Sequence, residues 1–268
     1  MGNEVSRARS LAVGSFVINF ATQTYGMLTS PNMKEVADAN HFAFSPNPWF
    51  IAAFFSGQVV LQLYWIRQLF ALNPTGYQPI KGTGASQSET TEFGKQQAAD
   101  EAASVAVSYA PVYALGNLCI AGWLFFWLRE GFNMSQILVT INTAAQLLAV
   151  ARLPSLTASS PTLLWTTHLV AKTFAGIGIL DFIDNGGVAA RLRAPPGAVL
   201  QGLTYAMFPT VAAMSGPIFG STLVYDLLGM CVGQRAVTGA ESWSAGLGWT
   251  ALATGGIVVA KGLMALRR

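Results

Sequence analysis

The chain has 268 residues, 52% of them hydrophobic and only 10% charged. A soluble domain carries about 25% charged residues, so too few remain here to coat a water-exposed surface, and much of the surface must face lipid. The net charge of +3 is spread over the connections without a basic stripe, which argues against a nucleic-acid partner and fits the enrichment of Lys and Arg in cytoplasmic loops.

A helix that crosses the bilayer needs about 20 mostly apolar residues. The apolar runs here are continuous and do not alternate, so they predict helices and exclude barrel strands. The first span covers residues 11–29 and is interrupted by Asn19, Thr22, Gln23 and Thr24. These polar groups are expected to face other helices, because lipid offers them no partner. The second opens at Pro48-Trp49 and closes near Trp65-Ile66-Arg67, with aromatic and basic residues at its ends as interface anchors. Residues 72–102, including GTGASQSETTE, lack apolar periodicity and read as a flexible polar loop.

The third span covers 104–128, and a turn at Arg129-Glu130-Gly131 leads into the fourth, 134–150. Pro154 and Pro161 bracket the next loop. The fifth span, 162–183, is expected to stop at Asp184-Asn185-Gly186-Gly187. Residues 199–232 are too long for one straight crossing and are divided by Pro209 and Gly216-Pro217, so they form either one kinked helix or two short ones. The last span, 245–266, ends in Arg267-Arg268. The expected fold is therefore an all-α polytopic transmembrane bundle of about seven spans, with six to eight allowed. It divides into a five-helix unit over 1–187 and two or three further helices over 188–268.

With seven spans and Lys172 set aside, seven Lys and Arg fall on each side of the membrane. Dividing 199–232 into two passes puts nine on the side of the N-terminus and five opposite, which favours a cytosolic N-terminus. No cleavable signal peptide is evident. Met1-Gly2-Asn3-Glu4-Val5-Ser6 matches the myristoylation pattern at Gly2, against the plain reading of an ordinary polar terminus. Asn133-Met134-Ser135 is a glycosylation sequon that abuts the membrane on both sides. Cys119 and Cys231 lie in apolar segments at unrelated positions and read as small buried side chains, with no disulfide framework or metal site expected.

A charge at mid-bilayer costs a few kcal/mol even on the lenient insertion scale and is rarely incidental. Lys172 lies near the middle of the fifth span, and helical spacing puts it on one face with His168 and Trp165. Asp226 lies centrally in the second half of 199–232, which predicts that Lys172 pairs with it and that their helices pack. A structural ion pair, a neutral lysine and a functional polar cluster are the readings open. Asp181, Asp184 and Asn185 cluster at the end of the fifth span, as proton carriers or cation ligands would, or as a solvated helix end. Asn117 and Trp123, with Phe125, Phe126 and Trp127, set a polar group beside an aromatic wall that could orient a flat apolar ligand or pack as core. No nucleophile–base constellation, phosphate loop or zinc motif is visible, so an enzyme is not expected.

Phe42-Ala43-Phe44-Ser45-Pro46-Asn47-Pro48-Trp49-Phe50 resembles the F-x-P-x-x-W-x-F opening of the second helix in the tryptophan-rich sensory protein/translocator (TspO) family. Asn117 followed by Phe125-Phe126 is similar to its N-x-x-W-x-x-x-F-F signature, and Phe174-Ala175 with Asn185 is loosely like its fifth helix. Ile120 stands where that signature has Trp, Trp123 is displaced, and Thr167-His168 replace the family's Pro-Tyr. The 72–102 segment and WLFFW look more like multi-pass fungal membrane proteins distantly related to that family. The resemblance covers about two thirds of the chain. It implies a five-helix bundle closed by the first connection, binding tetrapyrroles, sterols or similar flat ligands in a pocket lined by Trp49, Phe50, Asn117, Trp123, Trp165 and His168.

The first functional expectation is a non-enzymatic binder or translocator of such a hydrophobic small molecule. The alternative is a proton-coupled or small-solute transporter using Lys172, Asp226 and Asp181, and a structural membrane protein is the third reading. A retinal protein would need its lysine mid-way along the last span, whereas Lys261 lies near its end. The lipid bilayer is the one partner implied directly; the sequence names no cofactor and no oligomeric state.

Overall fold

The computed structural model describes residues 2–72 and 87–266. Among these, nine helices and no strands are found: α1 (Gly2–Leu28), α2 (Met33–Ala39), α3 (Pro48–Ala71), α4 (Gln87–Trp127), α5 (Phe132–Ala151), α6 (Thr162–Ala189), α7 (Ala198–Met214), α8 (Pro217–Gln234) and α9 (Glu241–Leu266). Five of them, α3, α4, α5, α6 and α9, are long and apolar enough to cross a membrane. The chain is an all-helical, multi-pass membrane bundle.

Local chemistry sets most of the helix starts. Asn32 caps α2, accepting from the backbone of Lys34 and Glu35 while Glu35 reaches back to the Asn32 N–H. Asn47 caps α3 through a 3.0 Å bond from the Trp49 N–H, with Pro48 in the first turn, where its missing donor costs nothing. The 199–232 segment resolves into two helices. Pro209 is accommodated inside α7, and the chain breaks at Ser215-Gly216, with Pro217 opening α8. These two helices have 17 and 18 residues, or about 25 and 27 Å at 1.5 Å per residue, just short of the ~30 Å hydrocarbon layer.

Two boundaries differ from the sequence expectation. Residues 87–102, expected to be loop, form the first turns of α4, and the remainder of that segment, 73–86, lies outside the described residues. Within 87–102, Ala102 buries against the bundle, while residues 94–101 are exposed apart from the half-buried Ala98. Asp184-Asn185-Gly186-Gly187 does not stop α6, which runs on to Ala189. The Asn185 side chain is engaged by Ser135, Gln136 and Trp123 and cannot turn back on its own backbone. Gly187 sits where a Cβ would come within 3.2 Å of Phe44, so it serves close packing there.

Side-chain contacts fix the helix directions. Arg9 donates to the carbonyls of Leu69 and Leu72, so α1 and α3 are antiparallel, and Asn19–Asn117 sets α1 parallel to α4. Trp65 to Thr167 and Gln58 to Thr173 set α3 against α6. Gly176 faces Thr222, Gly220 faces Val258 and Gly246 faces Tyr205. Together these make α1 and α3–α9 run in alternating directions, with the described N- and C-terminal ends toward one side. Helices α1, α3, α6, α5 and α4 close a ring in that order of neighbours, and α7, α8 and α9 pack against it through α6 and α3.

Candidate functional site

The inside of the five-helix ring is filled by the chain's own polar and aromatic side chains. Trp65 packs on Tyr113 and Tyr109, with ring centroids 4.9 and 5.7 Å apart, and Phe174 closes on Tyr113. Around them the Tyr113 hydroxyl donates to Gln62 at 2.6 Å, Tyr109 to Gln146 at 2.9 Å, and Gln146 to the Val112 carbonyl. Gly116 lets Gln146, Asn142 and Phe174 approach α4, since a Cβ there would meet all three within 2.8 Å. In an apolar bundle such groups must satisfy one another. Tyr113→Phe is therefore expected to cost about 1–3 kcal/mol, because it leaves the Gln62 acceptor without its donor. Thermal melting in detergent measures it, and an unchanged melting temperature would show that the network contributes little.

The six residues expected to line one pocket are placed apart. Asn117 is fully buried in the ring, bonded to Asn19 and to the Tyr113 carbonyl. Trp123 lies near the opposite end of α6 from Trp165 and His168, stacked on Trp127 and donating to Asn185 at 2.9 Å. Trp49 is 70% exposed at the start of α3, while Phe50 turns inward onto Tyr225. Trp165 is 37% exposed, whereas His168, one turn on, is 1% exposed with neither ring nitrogen hydrogen-bonded and the Pro154 carbonyl nearby. Of the polar groups in α1, Asn19 faces the bundle and Gln23 bonds to it, while Thr22 and Thr24 bond their own helix carbonyls.

The first connection docks into the bundle beside a group of carboxyls. Ala43 N–H bonds the Leu192 carbonyl and Asn47 N–H the Gly229 carbonyl. Gln234 donates to the carbonyls of Phe42 and Ser45, and Trp243 to that of Ala43 at 2.7 Å. Gly233 makes this possible: a Cβ there would collide with the Ser45 carbonyl and stand 2.6 and 2.7 Å from Pro46 C and Asn47 N. Ser45 then donates to Asp184 at 2.8 Å. His41, at the edge of this connection, is held below the ordinary imidazole range by burial, against the opposing pull of the Gly233 carbonyl and Asp38.

Asp226 is fully buried and neither carboxyl oxygen has a hydrogen-bond partner. It lies near the middle of α8, about 13 Å from either end, and it interacts electrostatically with Asp181, which does so in turn with Asp184. The expected Lys172–Asp226 pair does not form. Helices α6 and α8 pack as expected, but in parallel, with Gly176 against Thr222 and the Lys172 ammonium 3.6 Å from where a Gly216 Cβ would stand. That register leaves about 15 Å of α8 between Lys172 and Asp226. The spacing along each helix was readable in the sequence, but their mutual register depends on packing at Gly176. Lys172 stands level with the α7–α8 break, about 15 Å from the start of α6 and about 25 Å from its far end, beside Thr173, which bonds Gln58 near the middle of α3.

Cys119 and Cys231 are both free and buried. Among the described residues, no three carboxyl, imidazole or thiol groups come close enough to hold a metal ion. Gly2 opens α1, and nothing in its surroundings bears on acylation. In the Asn133 sequon, Ser135 is fully buried and spends its hydroxyl on Phe132 and Asn185. Sequence reasoning missed Gln58, Gln62, Tyr109, Tyr113, Asn142 and Gln146. Glutamine, tyrosine or asparagine recurring at 58/62, 109/113 and 142/146 was the available signal, since a polar side chain every fourth residue marks one helix face.

Fold and site together define a polytopic helical membrane protein with an internal polar network and a carboxyl group between two helix units. No family model, curated protein or solved structure matches the chain.

Proposed function

We propose that the chain is a non-enzymatic membrane carrier for an apolar or amphipathic solute, coupled to proton movement through Asp226, Asp181 and Asp184. The observation that carries the reading is Asp226, a fully buried mid-helix carboxyl without a donor. Ionisable groups at that depth are costly and mark ion or proton pathways. The carboxyls also lie where the five-helix ring meets the α7–α9 unit, and carriers typically bind at such a junction between helix bundles. Eight traverses would place nine Lys and Arg on the side of the N-terminus and five opposite, which supports a cytosolic N-terminus.

The flat-ligand reading drawn from the TspO resemblance keeps one support. The first connection does fold over one end of the ring, with Val36 packing among Leu124, Trp127 and Val188. The dispersal of the six lining residues, and a ring interior occupied by side chains, favour the carrier over a ligand held inside the ring.

The test is proton uptake by liposomes containing the purified protein after an imposed pH step, for wild type and Asp226→Asn. The amide keeps the shape and removes the ionisable group. Uptake above that of empty liposomes, reduced about tenfold or more in Asp226→Asn, is the expected result. Equal uptake by wild type and empty liposomes, or an unaffected variant, would sink the proposal.

A further inference from the structure

A groove of about 530 Å³ lies between α8 and α9, within the range of small-ligand sites. Its walls change character along its length. At one end stand Arg235, the C-cap of α8, and Glu241, the first residue of α9. Farther along lie Gly248, Trp249 and Leu252 of α9, with Leu228 of α8. Leu252 is about 16 Å from Glu241 along α9, and Leu228 about 10 Å from Arg235 along α8. Trp249, Leu252 and Leu228 are exposed. The Ser244 hydroxyl in the wall is spent on the Cys231 carbonyl at 2.8 Å, so the polar chemistry the groove offers is that of its two charges.

The charged end of the groove is also an end of the bundle, because the first connection ties four helix termini to one level. Gln234, the last residue of α8, donates to the Ser45 carbonyl, and Trp243, in the first turn of α9, donates to that of Ala43. The Ala43 N–H bonds Leu192, just past α6, and Pro48 then opens α3. Trp49, exposed in the first turn of α3, is of the kind enriched where membrane meets water. Arg235 and Glu241 are both exposed and line the same groove, yet they form no ion pair with each other. The Arg235 guanidinium has no acceptor among the described residues. The Glu241 carboxylate accepts the Gly239 N–H at 3.2 Å and keeps lone pairs for a further donor. One end of the groove thus offers both an anion site and a cation site, and the rest is an apolar trough.

We propose that this groove binds a phosphatidylethanolamine molecule of the adjoining leaflet. Its phosphate lies at Arg235, its ammonium at Glu241, and the upper part of one acyl chain along Ala245, Gly248, Trp249 and Leu252. Charge complementarity selects the head. A guanidinium matches a phosphate through paired N–H donors, whereas an anionic lipid without an ammonium would set its charge against Glu241. A primary ammonium donates hydrogen bonds to a carboxylate, which the quaternary ammonium of a choline lipid cannot do. The polarity of the groove also runs as the lipid's does, charged at the helix ends and apolar toward the middle. The proposal is independent of the carrier reading, since neither Asp226, Asp181 nor Asp184 lines this groove.

The experiment is native mass spectrometry of the purified, delipidated full-length protein in detergent, titrated with dioleoyl phosphatidylethanolamine, phosphatidylcholine or phosphatidylglycerol. Wild type is expected to retain one phosphatidylethanolamine saturably, about tenfold more tightly than either other lipid. Arg235→Gln should weaken that binding about tenfold, as the loss of a charge-assisted hydrogen bond implies, and Arg235→Lys should keep most of it. Glu241→Gln should remove the preference over phosphatidylglycerol, a change of selectivity that loss of a structural contact would not produce. Ala245→Phe fills the groove from an exposed position in its wall and should block binding. No saturable binding, equal retention of the three lipids by wild type, or an unchanged preference in Glu241→Gln would each overturn the assignment. Binding indifferent to Ala245→Phe would do so too, by placing the lipid elsewhere on the surface. Folding of every variant is checked by its melting temperature, and the exposed positions of Arg235, Glu241 and Ala245 keep the test from depending on any one of them.

Discussion

Gly233→Ala is expected to destabilise the protein by about 2–3 kcal/mol, and Gly233→Val to prevent folded protein from accumulating, the upper range for overpacking. The added methyl would meet backbone atoms of Ser45, Pro46 and Asn47, which cannot rotate aside as a side-chain tip would. The connection would have to lift, loosening the bonds from Gln234 to the Phe42 and Ser45 carbonyls and from Trp243 to Ala43. Gly57→Ala is the matched control: nothing lies within 4 Å of its Cβ position, and helix propensity alone should make that change neutral or stabilising by about 0.5–1 kcal/mol. Melting temperatures of the two purified variants decide the matter. Equal effects would mean that the connection is not seated on α8.

The second large effect runs in the opposite direction. Asp226→Leu is expected to raise stability by about 1–3 kcal/mol, the cost of a buried polar group left without a hydrogen bond. The reason is that its carboxyl oxygens accept nothing, while the surrounding Leu223, Leu227 and Met230 would pack well on a leucine. Were Asp226 half of a buried ion pair, the same substitution would cost about 3–5 kcal/mol. The sign of the change in melting temperature separates these cases, and a stabilised, flux-dead Asp226→Leu protein is what a group retained for function produces.

Much of the architecture was legible because lipid demands it. Continuous apolar runs, the Asn47-Pro48 helix start and the Gly216-Pro217 break act within a few residues of themselves, and each appears where local chemistry puts it. The 199–232 segment was left open between one helix and two because Pro209 and Pro217 look alike in sequence. Only Pro217 follows a glycine in extended backbone at the α8 N-cap. The carboxyls were visible as residues, but their grouping was not. Asp226 belongs with Asp181, and Lys172 with Gly216, because Gly176 lets α8 settle against α6 at Thr222, a register that no spacing within one helix reveals. The polar interior of the ring was missed for a related reason. Gln62, Tyr113 and Gln146 each look like a stray polar residue until three helices bring them together.

The most direct test of the central claim, that Asp226 is an unpaired carboxyl buried midway along α8, is a double-mutant cycle on stability with Lys172→Met and Asp226→Leu. With the two groups about 15 Å apart, the effects should add to within about 0.5 kcal/mol, and Asp226→Leu should stabilise whether or not Lys172 is present. A coupling of more than about 1 kcal/mol, with Asp226→Leu destabilising only when Lys172 is intact, would contradict the account and restore the ion pair.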